Sequence, residues 1–160
     1  MPINPKEKYV YIGIDPGLSG GLACIEGAEA KVFPVPRTER DVWEWFDNAR
    51  TTASIVFAVI EKVHAMPGNG VSSMFKFGTG YGGLRMALTA AEIPWEEATP
   101  QAWQKGLGIS KRDKAESGTE WKNRLKAKAQ QLFPSVRVTL ATADALLIAE
   151  YCKRKREGSL

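Results

Sequence analysis

The 160-residue sequence has few of the residues that build metal cages or disulfide frameworks. It contains only two cysteines, Cys24 and Cys152, which lie far apart in the chain, and one histidine, His64. A zinc cage needs several closely spaced Cys or His ligands, and a disulfide framework needs more cysteines than these. The sequence therefore argues against both and favours a reducing, intracellular compartment.

Long apolar runs and a strong excess of one charge are also missing. No stretch approaches the about 18 apolar residues that cross a bilayer, and the first residues contain no apolar signal-peptide core. Lys and Arg number 22 against 18 Asp and Glu, a net charge of +4 that only mildly favours polyanionic partners. The length and the 44% hydrophobic content are typical of one globular domain. We therefore predict a single cytoplasmic domain over residues 1–160 that does not contact membranes.

Apolar periodicity predicts an ordered series of strands and helices. The predicted strands cover Tyr9–Asp15, 22–25, 31–35, 54–60 and 93–99. The predicted helices cover 38–50, Ser72 or Ser73 to about 91, Pro100–Gly106, 119–133, and Thr139 or Thr142 to about 156, with a polar, mobile loop at 109–118. Three strands followed by alternating helices and strands indicate an α/β fold. We expect a mixed sheet of three antiparallel strands and then parallel strands, flanked by helices.

Two of the predicted apolar strands end in a carboxylate. Asp15 follows the run YIGI, and Glu61 follows FAVI. If these strands are parallel neighbours, both acids lie at the sheet edge where open α/β sheets bind ligands. Asp144, at the start of an apolar helix, supplies a third carboxylate. Adjacent carboxylates need a cation or a shared proton, and oxygen ligands favour Mg²⁺ or Mn²⁺, so the pattern predicts metal-dependent phosphodiester hydrolysis.

Each acid alone also has a purely structural interpretation. Asp15 precedes Pro16 and Gly17 and suits a turn. Glu61 can simply mark the return of a strand to solvent, and Asp144 in a first helical turn favours the helix dipole. The three together are more specific than any one of them.

Three motifs carry a resemblance to a known family. The segments 11–21 (YIGIDPGLSGG), 59–61 (VIE) and 143–149 (ADALLIA) resemble the RuvC-type Holliday-junction resolvases, which belong to the ribonuclease-H-like nuclease superfamily. The stretches EKVHAMPGNGVSSMFKFG and ATPQAWQKGLG are more similar to the bacteriophage and prophage members than to the cellular enzymes. The resemblance spans roughly residues 9–152 and implies a ribonuclease-H-like fold.

The resemblance also implies an activity. It implies a homodimeric endonuclease of DNA recombination and repair that binds four-way junctions and cuts two opposed strands, leaving 5′-phosphates. Asp15, Glu61 and Asp144 would be the catalytic residues and would hold two Mg²⁺ ions, with Mn²⁺ able to substitute. A twofold dimer suits a twofold-symmetric substrate. The host would be a bacterial or phage-infected cell.

One position departs from the family pattern. The family places a fourth acid, or in some members a histidine, just before the position of Asp144. Here Ala141 lies one helical turn earlier and offers no ligand, and Thr142 is at best a weak one. A junction-binding protein of the same fold that cleaves weakly or not at all therefore stays open as an alternative to the nuclease.

Basic and aromatic side chains provide candidates for DNA contact. Phosphate contacts are predicted from four residues of the later half, Lys105, Lys111, Arg112 and Lys114. Phe75 and His64 follow Glu61 and are candidates for stacking on unpaired bases. The alternatives are a solvated basic face, core packing for Phe75 and an exposed loop position for His64. The five tryptophans are expected to be packing anchors.

A glycine-rich segment at 78–83 matches the G-x-G-x-x-G spacing of dinucleotide-binding loops. Such a loop needs a preceding strand, whereas residues 74–77 are predicted to be helical, so we expect no nucleotide cofactor. Small residues recur at helical spacing here, at Gly83, Ala87, Ala90 and Ala91. This stripe favours packing on the sheet over packing on a partner subunit.

Overall fold

The computed structural model describes residues 4, 6–65 and 67–160, and five strands within them form one sheet. The strands are β1 (Tyr9–Asp15), β2 (Gly21–Glu26), β3 (Glu29–Pro34), β4 (Ile55–Glu61) and β5 (Trp95–Ala98), in the spatial order β3-β2-β1-β4-β5. β1, β2 and β3 are antiparallel neighbours, whereas β4 is parallel to β1 and β5 is parallel to β4. The predicted mixed five-stranded sheet is confirmed.

Five helices in the described residues flank this sheet. They are α1 (Glu39–Thr52), α2 (Val71–Ala90), α3 (Pro100–Gly106), α4 (Gly118–Leu132) and α5 (Ala143–Glu157). Alternate residues of β1 enter two separate cores, because successive side chains of a strand point to opposite faces. Tyr11 packs in the core that contains α3, α4 and α5, whereas Ile12 packs in the core that contains α1 and α2.

The tightest contact between the layers is that of α5 with β1. Gly13 lies so close to the helix that a Cβ atom would stand 2.1 Å from the carbonyl oxygen of Ala145 and 2.2 Å from the amide nitrogen of Ala149. Only glycine fits such an approach. The helix that carries Asp144 is therefore held directly against the strand that ends in Asp15.

Several predicted boundaries differ from the structure by a few residues, and two of the differences have a clear physical reason. α2 begins at Val71, with Gly70 at the N-cap position and no side-chain cap, so the expected capping by Ser72 or Ser73 is wrong. Glycine is itself an acceptable N-cap residue. β5 is shorter than predicted and begins after Pro94, whose nitrogen has no hydrogen to donate to a strand ladder. None of the described helices is long and apolar enough to span a membrane.

Candidate active site

Asp15 and Glu61 are the last residues of two hydrogen-bonded parallel strands. The register pairs Ile14 with Ile60, so the next residue of each strand lies at the same sheet edge. Asp15 shares its strand face with Tyr11, and Glu61 shares its face with Val59, and both of these apolar residues pack in the core on the α5 side. Asp144 lies in the first turn of α5. The fold therefore brings together the three acids that the sequence singled out.

Electrostatics show how closely the three acids interact. Burial, followed by the charges of Asp144 and Glu61, raises the pKa of Asp15 from its ordinary 3.8 to about 8. Burial raises the pKa of Glu61 from 4.5 to about 7, with Asp144 adding to the rise and a hydrogen bond from Trp103 opposing it. Burial raises the pKa of Asp144 from 3.8 to about 6, and the charge of Lys122 opposes that shift. Negative charge at this site is thus disfavoured, by burial in each acid and by repulsion between neighbouring carboxylates.

This donor set fits a hard divalent cation in its chemistry. Carboxylate oxygens are the ligands that Mg²⁺ and Mn²⁺ prefer, and a cation would relieve the repulsion among them. In the described part of the chain, however, no three His, Cys, Asp or Glu side chains are already gathered into a metal-binding cluster. Asp15, Glu61 and Asp144 are the residues that would hold such a cation.

Two further residues act on the site and were not assigned to it from the sequence. The indole N–H of Trp103 donates a hydrogen bond to Oε2 of Glu61 over 2.8 Å. The ammonium of Lys122, on α4, opposes the raised pKa values of Asp15 and Asp144. Both are long-range partners, since Trp103 stands 42 positions after Glu61. The sequence analysis placed Lys122 only within the predicted helix over 119–133, and it expected Trp103 only to pack.

The position where a fourth metal ligand was expected provides none in this chain. Ala141 is exposed and carries no ligating atom. The Thr142 hydroxyl accepts a hydrogen bond from the Thr139 amide over 3.1 Å and lies 3.0 Å from the Thr139 hydroxyl. Thr142 is therefore engaged in closing the turn before α5, and three carboxylates remain as the acidic donors of the site.

The predicted DNA-contacting residues are all solvent-accessible. Lys105 lies at the end of α3, and Lys111, Arg112 and Lys114 lie in the loop that leads to α4. α3 and α4 cover the same face of the sheet as α5, so these cations belong to the layer that contains the acids.

His64 is exposed in the segment after β4, as its alternative predicted. Phe75 is 75% exposed, so the alternative of core packing is wrong for it.

The loop over residues 109–117 has no helix or strand, as predicted, but it is anchored. The Arg124 guanidinium donates to the carbonyl and hydroxyl oxygens of Ser110, to the Lys111 carbonyl and to the Glu116 carboxylate. The same guanidinium stacks over the Trp121 ring at 4.5 Å. These contacts of Arg124 hold both ends of the loop, at Ser110 and Lys111 and at Glu116. The predicted mobility of the loop stays a prediction.

The sheet order, the helices on both faces and the acids at the carboxyl ends of β1 and β4 together define a ribonuclease-H-like fold. Within this class, the structure is similar to that of Thermus thermophilus RuvC. RuvC in complex with a Holliday junction substrate gives a TM-score of 0.62 at 15% sequence identity, covering 94% of this chain and 97% of that chain. A second Thermus thermophilus RuvC structure gives a TM-score of 0.58 at 18% identity, with the same coverage.

These similarities confirm the predicted fold class and the structural resemblance to the RuvC-type resolvases. No protein-family model and no curated protein matches the sequence. At these identities the structural likeness establishes the fold alone.

Proposed function

We propose that this protein is a divalent-metal-dependent endonuclease that cuts four-way DNA junctions. The observation that carries the proposal is the convergence of Asp15, Glu61 and Asp144, three carboxylates whose pKa values are all raised, at one edge of the sheet. Burying several carboxylates that repel one another costs free energy, and a bound cation normally offsets that cost. The similar fold of RuvC, solved with a Holliday junction substrate, supports the choice of DNA substrate.

The roles of the residues follow from their chemistry. Asp15, Glu61 and Asp144 would hold Mg²⁺, or Mn²⁺ in its place. When bound, such ions lower the pKa of water and stabilise the leaving oxygen of an in-line displacement. Lys122 brings a positive charge toward the same acids, which lessens the repulsion that a DNA phosphate meets there. With the fourth acid absent, we expect the second of two ions to be held more weakly than the first.

DNA would be positioned by the basic layer beside the acids. Lys105, Lys111, Arg112 and Lys114 are exposed and lie on or between the helices that share a face with α5. Such side chains bind phosphates without reading base sequence, as a protein that recognises branched structure requires. Phe75 and His64, which are both exposed, are proposed to contact unpaired bases.

The outer face of α2 supports the proposal of a homodimer. Val71 and Met86 are 87% and 64% exposed, and Gly78 and Gly82 fall between them on the same face of the helix. The opposite face of the same helix, at Leu84 and Leu88, is buried on the sheet. A helix that is apolar on both faces is typical of one that is covered on both.

The glycines of α2 point to a second copy as the covering partner. A Cβ atom added at Gly78 or Gly82 would meet nothing within 4 Å, so neither glycine is required by packing inside the chain. Each destabilises the isolated helix by about 0.5–1 kcal/mol relative to alanine. Close approach of an identical helix would use this surface, and it would provide the twofold symmetry that matches two opposed strands of a junction.

A junction-binding protein without cleavage is the second candidate function. The observation that favours it is the lack of a fourth acidic ligand before Asp144. Ala141 has no ligating side chain, and the Thr142 hydroxyl is hydrogen-bonded to the Thr139 hydroxyl. The basic layer and the α2 face would serve such a protein equally well. The two candidates differ only in whether phosphodiester bonds break when a divalent cation is supplied.

A cleavage assay on a synthetic four-way junction separates the two candidates. We expect paired nicks near the branch point with Mg²⁺ and with Mn²⁺, none with a chelator, and little cleavage of a linear duplex of the same sequence. Ligation of the nicked products by a DNA ligase would report their 5′-phosphates. Tight junction binding with no nicking in either metal would establish the binding protein instead.

A further inference from the structure

Trp103 is held by the backbone at a defined place beside Glu61. The register of β4 and β5 pairs Glu61 with Ala98, and the Lys62 amide donates to the Ala98 carbonyl over 2.8 Å. The next residue, Thr99, caps α3 through its hydroxyl, which accepts from the Ala102 amide over 3.2 Å. The chain thus turns directly from the strand beside Glu61 into the helical turn that carries Trp103.

The contact between the two side chains is a buried, one-directional hydrogen bond. Trp103 is 1% exposed, and its indole N–H lies 2.8 Å from Oε2 of Glu61. An indole nitrogen donates and cannot accept, so its partner must be an accepting oxygen, and the bond is strongest when that oxygen is charged. No other hydrogen bond to the Glu61 carboxylate occurs among the described residues. The indole therefore holds one carboxylate oxygen and leaves the other available.

The surrounding core does not require a nitrogen at this position. Trp103 belongs to the α5-side core, whose members include Leu107, Leu146 and Ala98. A phenylalanine would fill most of the same space without a buried N–H that needs a partner. The choice of tryptophan is explained by the bond to Glu61.

We propose that Trp103 is a positioning residue of the acidic site, whose indole N–H orients Glu61 and thereby sets the affinity of the site for a divalent cation. The inference rests on the proposed function, because it takes Glu61 to be a ligand. Hydrogen-bonded partners of metal ligands typically change metal affinity about 10- to 100-fold when they are removed.

The first test measures Mn²⁺ binding to the full chain by the electron paramagnetic resonance signal of free Mn²⁺. We expect Trp103→Phe to weaken binding on the order of tenfold, and the double variant Trp103→Phe with Glu61→Gln to bind no more weakly than Glu61→Gln alone. Trp95→Phe is the matched control, because its indole N–H donates to the Thr89 hydroxyl over 3.2 Å and removal leaves Glu61 untouched. Trp95→Phe should bind Mn²⁺ like the wild type.

The second test needs no tryptophan substitution and so does not depend on the folding of Trp103→Phe. In nitrogen-15 spectra of the wild type, Mg²⁺ should shift the assigned indole N–H resonance of Trp103, and Glu61→Gln should abolish that response. Wild-type Mn²⁺ affinity in Trp103→Phe, or an indole resonance that does not respond to Mg²⁺, would overturn the role of Trp103 while leaving the proposed function intact. If the wild type binds no Mn²⁺ at all, both proposals fail.

Discussion

At the scale of single residues, Asp15 has the highest pKa of the three acids. Its pKa rises to about 8 through burial and through the charges of Asp144 and Glu61. We expect Asp15→Asn to abolish nicking, because a metal ligand is lost, and to keep junction binding, because a neutral amide replaces a carboxyl that is mostly protonated near neutral pH in the metal-free site. Gel-shift and nicking assays on the same labelled junction measure the two effects. Cleavage by the variant at the wild-type rate would refute Asp15 as a ligand.

The raised pKa values of the acids predict an unusual pH dependence of stability in the metal-free protein. The pKa values of Asp15 and Glu61 are raised in the folded state, to about 8 and about 7, so the folded protein binds more protons than the unfolded chain above about pH 4. Stability is therefore full below the unfolded pKa values and falls as the pH rises toward 8. Urea unfolding in a chelator should show a lower midpoint at about pH 8 than at about pH 5.

Two additional measurements test the origin of this pH dependence. Asp15→Asn should flatten the dependence, because it removes the largest of the raised pKa values. Saturating Mn²⁺ should restore the midpoint at the higher pH, because a ligand that binds only the folded state stabilises it. A midpoint that rises steadily between about pH 5 and about pH 8 in the chelator would contradict the buried, unpaired acids.

At the scale of elements, the site depends on the contact of α5 with β1. We expect Gly13→Ala to destabilise the fold by about 3 kcal/mol or more, because its methyl group would overlap the backbone of Ala145 and Ala149. Any folded fraction should cleave poorly, since α5 carries Asp144. Gly80→Ala is the control, because its methyl group meets nothing within 4 Å and should stabilise the helix by up to about 1 kcal/mol. Denaturant unfolding of both variants gives the comparison, and equal stability would refute the argument.

The sequence predicted those elements whose signals are local. The apolar runs that end in Asp15 and Glu61 identified two buried strands, and their shared sheet edge followed from the expected parallel pairing. The bond from Trp103 and the charge of Lys122 had no such signal, because each depends on how α3 and α4 pack on the sheet. The start of α2 was misplaced because a backbone N-cap at Gly70 leaves no side-chain pattern.

At the scale of the whole molecule, the exposed face of α2 predicts the assembly state. We expect the protein to be a dimer in solution and Met86→Glu to shift it to a monomer, because a charge would be buried between two apolar helices. Leu160→Glu is the control, since Leu160 is 52% exposed and lies against α3 on the other side of the sheet. Sedimentation analysis measures both variants. A monomeric wild type would exclude the α2 dimer.

The basic layer predicts how junction binding depends on salt. Each cation that neutralises a phosphate releases condensed counterions, so its removal should reduce the slope of log affinity against log salt concentration by about 1. We expect Lys111→Ala to show this reduction and to weaken binding to all junction sequences alike, because a phosphate contact reads no bases. Lys31→Ala, on the edge strand β3, removes the same charge far from the α3–α4 loop and should leave the slope unchanged. Equal slopes for the two variants would mean that DNA does not cross the layer of α3 and α4, and the proposed orientation of the junction on the protein would have to be abandoned.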